Sequence, residues 1–163
     1  SVITDEKARY EVQLYAQLTN EFRPFLQEEC VTYAVSAAKR DEAFRHIVLR
    51  EYEFACAVCE MKCRLEDLIE ATAAHIVPKR RSGTDDPRNG LALCRTHHWA
   101  FDMGLFTLGN DYKVLLSPVL HRAETRNFGL LDLGGKSVFL PTHEAVRPHP
   151  EALVWHREHS WQK

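Results

Sequence analysis

No apolar stretch of this 163-residue chain approaches the roughly 20 residues that a membrane-spanning helix requires. Runs such as Lys113 to Leu120 stop far short of it. A charged-then-apolar leader is also missing, so the sequence reads as a soluble, cytoplasmic protein with no membrane partner. It lacks an excess of positive charge as well. Lys and Arg total 21 against 23 Asp and Glu, for a net charge of -2 and a pI near 6.5. That balance excludes a protein that coats nucleic acid through bulk charge, and any nucleic-acid contact must be local. No internal repeat or low-complexity segment occurs, and the length suits one domain, or one domain with an appendage. Five cysteines is an odd number, and four candidate ligands sit in metal-type spacing rather than in a disulfide framework, which suits a reducing compartment. The chain opens on Ser1 rather than Met, which reads as a trimmed tag or as an excised fragment of a larger protein.

What is present divides into three zones. From Thr4 to about Tyr52 the pattern is helical: Tyr15, Leu18, Phe22 and Phe25 lie three or four apart, and Phe44, Ile47, Val48 and Tyr52 repeat the spacing after a cap signal at Asp41. Pro24 should break or restart the first helix. Cys30 reads as a buried free thiol. The middle zone, Glu53 to about Leu108, is punctuated by Cys and His and by turn signals at Ser82-Gly83, Asp86-Pro87 and Asn89-Gly90. Beyond it, Tyr112 to Ser117 predicts a strand. Phe128 to Leu133, Gly134-Gly135 and Lys136 to Leu140 predict a hairpin with a two-residue turn, and Pro148 and Pro150 introduce a short final helix.

Zinc takes four soft or borderline donors at tetrahedral angles, and a CxxC turn offers two thiolates to one ion with little strain. Cys56 and Cys59 form one such pair, and Cys94 and His97 form a second with imidazole in place of one thiolate. A structural Cys3His zinc staple is the expectation, with Cys63 near enough to substitute. Buried apolar cysteines, or a redox CxxC, would leave the second pair unexplained.

His98 and Asp102 stand four apart and share one face of any helix that starts near Arg95, where they could grip a divalent cation. His97 points about 100° away from His98 on that helix, which assigns the two neighbours to different metals. His75 precedes Ile76-Val77-Pro78 in a short strand; if Ile76 faces the core, His75 faces a cleft, where an imidazole suits proton abstraction from water. Asn89, before Gly90, suits a turn that pins the loop against the His75 strand.

With these residues in place, the segment from about Phe54 to Leu108 resembles the HNH, or ββα-metal, nuclease motif. His75, Asn89 and His98 match its three signature positions, and Ile76 and Pro78 follow the first histidine as in the family's H-I-x-P. The wording Ala-Ala-His-Ile-Val-Pro, Asn-Gly-Leu-Ala-Leu-Cys and His-His-Trp-Ala-Phe-Asp-Met-Gly is similar to HNH domains of bacterial restriction and phage-defence endonucleases. The resemblance implies a ββα-metal finger, and with the zinc staple, N-terminal helices, C-terminal β-hairpin and short helix read above, the expected fold is α+β. Residues 1–52 would form a dimerisation element or a linker from a larger protein, and residues 53–163 the nuclease domain. It implies His75 as general base, His98 as metal ligand and Asn89 as loop orienter, with Mg²⁺, Mn²⁺ or Ni²⁺ as the active cation. Ala74 departs from the pattern, because many members place a metal ligand there, and Asp102 is the candidate replacement.

Between His75 and Phe101 five basic residues, Lys79, Arg80, Arg81, Arg88 and Arg95, face two acidic ones, Asp85 and Asp86, and mark a local seat for DNA phosphates. Trp99 and Phe101 are expected in the core. A homodimer and a fused recognition domain are both compatible partners. Two alternatives stay open: a zinc-knuckle nucleic-acid-binding module whose centre decayed at Ala74, and a zinc-stapled protein-interaction scaffold.

Overall fold

The computed structural model describes residues 5–26 and 36–163. Two helices open it, α1 (Glu6–Gln17) and α2 (Ala37–Glu51). Three two-stranded antiparallel hairpins follow: β1 (Arg64–Leu65) with β2 (Leu68–Ile69), β3 (Thr72–His75) with β4 (Gly90–Leu93), and β5 (Phe106–Leu108) with β6 (Val114–Leu116). Helix α3 (Arg95–Asp102) leaves β4 through Cys94, and α4 (Pro150–His159) closes the chain. No helix among the described residues is long and apolar enough to cross a membrane.

The helices begin where side chains can satisfy free amides. Asp5 accepts from the Lys7 amide at 2.9 Å, and Ser36 accepts from the Lys39 amide at 3.3 Å. The cap of α2 is therefore Ser36, and Asp41 lies inside the helix. A polar residue five positions upstream took the capping role, and periodicity alone does not separate the two sites. Helix α1 ends at Gln17, before Leu18 and Phe22. The chain beyond it is drawn onto the loop after β3: Thr84 N donates to Pro24 O at 3.1 Å and Leu26 N to Ser82 O at 2.9 Å. Cys30 lies outside the described residues.

The expected C-terminal hairpin is not formed. Gly129–Leu133 is a 3-10 turn that buries Leu130, and Ser137 pairs with Lys113 beside β6. Val138 N donates to Tyr112 O at 3.0 Å. Leu130 and Leu133, three apart, lie on one side of a 3-10 turn as readily as alternate residues lie on one side of a strand, and so short an apolar run does not distinguish the two. The hairpin of this region is β5–β6, which includes the strand expected within Tyr112 to Ser117.

One apolar cluster runs from Tyr10 and Leu14 of α1 through Phe44, Ile47 and Val48 of α2, the β3–β4 hairpin and Phe101 to Leu153 of α4. His156 of α4 sits within it, stacked on Phe101 at 3.8 Å. Its Nε2 donates to Phe101 O at 3.2 Å and its Nδ1 accepts from Thr107 Oγ1 at 2.9 Å. Burial lowers its pKa to about 4. The unfolded chain takes up this proton near pH 6.5 and the native chain does not, so the associated stability is complete above pH 6.5 and drains away as the pH falls to about 4. The contribution is on the order of 3 kcal/mol. Denaturant unfolding between pH 7 and pH 4 should show that loss in the native sequence, and His156→Gln should flatten the slope.

Candidate active site and metal centre

The β3–β4 hairpin is the platform. Its register pairs Thr72 with Leu93, Ala73 with Ala92, Ala74 with Leu91 and His75 with Gly90. Alternation along β3 sends Thr72 and His75, three residues apart, to opposite faces. On one face α2 covers the hairpin: the His75 ring stacks on Phe44 at 3.8 Å, and a Cβ at Gly90 would come within 2.5 Å of Val48. Gly90 is thus a position where only glycine lets helix and strand approach. Thr72 reaches α3 on the other face.

The Cys/His pairs converge at the start of α3. Cys56, Cys59, Cys94 and His97 bring one ligand atom each within 4.8 Å of one another. His97 Nδ1 lies 3.5 Å from Cys56 Sγ and 3.2 Å from Cys94 Sγ. Tetrahedral zinc with Zn–S near 2.3 Å and Zn–N near 2.1 Å would set a sulfur–nitrogen edge of about 3.6 Å, so the donor set fits zinc in size and chemistry. Burial pushes the Cys56 thiol up, but hydrogen bonds from His97 and nearby backbone more than reverse this and lower it to about 7. Burial raises Cys94 to about 12, and a bound cation would have to displace that proton. Cys63 is exposed and outside the cluster, so it is no substitute ligand.

Cys94 is also the N-cap of α3, and the cluster therefore anchors the helix that carries His98 and Asp102. His98 Nδ1 lies 2.7 Å from Thr72 Oγ1, whose single hydroxyl proton is directed to Leu93 O at 3.1 Å. Thr72 must then accept from His98, which makes the neutral ring the Nδ1–H tautomer and leaves Nε2 a lone pair. That lone pair faces Asp102 Oδ2 at 3.4 Å. Two acceptors this close require a proton or a cation between them, and about 3.0 Å is the edge expected for neighbouring octahedral donors at 2.1 Å. His98 and Asp102 fit a divalent cation as two of its donors. Ala74 is fully buried and offers none.

His75 is the last residue of β3, with its side chain 11% exposed. Its Nε2 lies 3.1 Å from Asp85 Oδ1. The same oxygen accepts from Lys79 Nζ at 2.6 Å, and Oδ2 accepts from the Tyr10 hydroxyl at 3.4 Å. Asp85 is buried at 1% exposure; burial raises its pKa, but the contacts with His75 and Lys79 outweigh that and hold it below the usual carboxylate range. Burial and the Asp85 charge push the Tyr10 phenol up.

Asn89, fully buried, ties the loop between β3 and β4. Its Oδ1 accepts from Val77 N at 2.9 Å, and its Nδ2 donates to Val77 O at 3.0 Å and Thr84 O at 2.9 Å. The backbone carbonyl of Asn89 accepts from Ile76 N at 2.9 Å, so the first residues after His75 are held from both sides.

The basic residues separate. Lys79, Arg80 and Arg81 form an exposed 3-10 turn after Pro78, and Arg95 is exposed at the first position of α3. Arg88 differs from the expectation of a phosphate contact. Its guanidinium grips Asp86 at 2.8 Å, donates to Gln17 O and Asn20 O, and lies over the Phe22 ring, so its donors are spent inside the fold. Trp99, expected in the core, is 54% exposed beside His98, whereas Phe101 is fully buried. The sequence motifs give no sign of a site role for Thr72, Asp85, Phe44 or Tyr10. Thr72 could have been found from strand alternation, but Asp85 meets His75 only across an irregular loop of ten residues and leaves no periodic signal.

Comparison with known proteins fits this geometry. A solved structure titled "Modification dependent TagI restriction endonuclease" superimposes with a TM-score of 0.52 at 23% identity, over 78% of this chain and 39% of that one. At that identity the likeness is one of fold, and this chain spans well under half of that protein's length. No curated protein matches. A family model described as HNH endonuclease matches residues 56–109, the span that contains both Cys/His pairs, His75, Asn89, His98 and Asp102. The chain carries an HNH endonuclease domain over residues 56–109.

Proposed function

We propose that the chain is a divalent-cation-dependent endonuclease that hydrolyses DNA phosphodiester bonds, serving in restriction or phage defence. The observation that carries this reading is His98 Nε2 turned onto Asp102 Oδ2 at 3.4 Å, a gap that a proton or a cation would bridge, inside the segment that matches the nuclease family. The role in restriction draws on the fold shared with a restriction enzyme.

In this mechanism His75 takes the proton of the attacking water, a step worth about 10²–10⁴-fold in rate. His98 and Asp102 are the residues that would hold the cation. When bound, that ion supplies the positive charge that offsets charge building on the phosphoryl and departing 3′ oxygens. Asn89 keeps the His75 end of β3 in place, Lys79 is held on Asp85 at 2.6 Å, and Arg80, Arg81 and Arg95 offer phosphate contacts that position a duplex without reading its bases. His75 lies on one face of the hairpin and His98, on α3, packs against Thr72 on the other, so the phosphodiester must lie across the hairpin's end to meet both. Products should carry a 5′ phosphate and a 3′ hydroxyl.

Supercoiled plasmid incubated with the purified chain should be nicked or linearised in Mg²⁺, Mn²⁺ or Ni²⁺ and left intact in chelator. The rival reading, a decayed nucleic-acid-binding module, draws on the apolar Ala74 in place of a ligand. Salt-sensitive DNA binding with no cleavage under any of these cations would establish that rival and overturn the nuclease.

A further inference from the structure

We infer that Asp85 is a positioning residue that locks His75 as its Nε2–H tautomer, so that the lone pair available to take a proton is on Nδ1. This rests on the reading of His75 as general base and adds which atom acts and what holds it there.

A neutral imidazole has one donor nitrogen and one acceptor nitrogen, and its partners decide which is which. Asp85 Oδ1 lies 3.1 Å from Nε2, and a carboxylate only accepts, so the proton sits on Nε2. Among the described residues Nδ1 of His75 has no hydrogen-bond partner. The ring plane is set by its stack on Phe44 at 3.8 Å and 15°, and the in-plane orientation by Asp85. Together they leave the ring little rotational freedom, and a fixed base forfeits no orientation entropy at the moment of proton transfer.

Asp85 is built to stay ionised. Lys79 supplies a countercharge at 2.6 Å and Tyr10 donates to the second oxygen, so the buried carboxylate does not depend on an imidazolium for its charge balance. The imidazole thus meets a carboxylate whose charge is already balanced by Lys79. Tyr10 and Phe44 come from α1 and α2, outside the segment that matches the nuclease family. The N-terminal helices thus supply Phe44 against the His75 ring and Tyr10 against its Asp85 partner.

Asp85→Asn keeps the size of the side chain but allows an amide N–H to donate to Nε2, which favours the other tautomer. Pairs of this kind lose much of the base's contribution on such a change. We expect the turnover rate of plasmid nicking to fall about 10²–10³-fold with KM for DNA changed less than about 3-fold. In a His75→Ala background, Asp85→Asn should alter the remaining rate by less than about 3-fold, because the function it serves is already gone. A purely structural role would slow both backgrounds alike. ¹⁵N-histidine spectra of the full chain at a pH where the ring is neutral should show His75 with a bare Nδ1, and Asp85→Asn should move the proton.

The inference is overturned if the native chain cleaves and Asp85→Asn cleaves as fast, if the loss is the same in both backgrounds, or if the spectra place the proton on Nδ1. A native chain that fails to cleave under every cation, yet shows the bare Nδ1, overturns the nuclease reading and leaves the His75–Asp85 pairing standing.

Discussion

His75→Ala is expected to slow plasmid cleavage by about 10²–10⁴-fold, the full worth of a general base, while the chain stays folded. The loss should fall on turnover and spare DNA affinity, because the exposed basic residues, not His75, supply the phosphate contacts proposed here. The fold should tolerate the change. His75 ends its strand, and its buried partner Asp85 keeps Lys79 and Tyr10 as donors, so no orphaned charge is left behind. What is lost is the stack on Phe44 and one hydrogen bond, a cost of about 1–3 kcal/mol. Circular dichroism and thermal melting should report a folded protein at a somewhat lower melting temperature. A variant that unfolds, or one that cleaves at the native rate, contradicts this account.

Cys94→Ser and Cys56→Ser are expected to have the largest structural effect. Both thiols are buried in the Cys3His cluster, and Cys94 also caps α3. Structural zinc contributes about 10–16 kcal/mol in small isolated sites, which equals or exceeds the 5–15 kcal/mol that holds a typical domain together. Losing a ligand should therefore release α3, and with it His98 and Asp102, from the hairpin. Elemental analysis should find about one zinc per native chain and much less in either variant. Melting temperature and cleavage should fall together. Cys63→Ser is the control: its thiol is exposed and outside the cluster, so zinc content and stability should be unchanged. Native stability in either Cys94→Ser or Cys56→Ser would show that the cluster does not carry the fold.

These two predictions involve residues that were legible to different degrees. The cysteine pairs and the triplet His75, Asn89 and His98 stand at fixed spacings within one local segment, and the chemistry of a CxxC turn or an i, i+4 helix pair needs no knowledge of distant chain. The separation of His97 from His98 by one helical step likewise follows from helix geometry, and the structure places one against the cysteines and the other against Thr72. Less could be read where an element's period is short. Phe128 to Leu133 has the pattern of a strand, but Gly129–Leu133 is a 3-10 turn, and α1 stops at Gln17 although the apolar spacing continues to Phe25, because tertiary pairing of Pro24 and Leu26 with the β3–β4 loop competes with the helix.

The chain's order of residues alone determined the donor set of the Cys/His cluster, the placing of His98 and Asp102 on one face of α3 and the identity of the hairpin histidine, since each is a matter of residue type at local spacing. Only the tertiary structure decided the surroundings of those groups. It buried Asp85 under His75, Lys79 and Tyr10, turned Arg88 inward onto Asp86 and the end of α1, left Trp99 in solvent, and set α2 against the His75 face of the hairpin. The physical reason is range: ligand spacing is set by a turn or two of backbone, whereas the partners that orient a side chain come from segments brought together by burial of the shared core, and burial carries no signature at fixed separation along the chain.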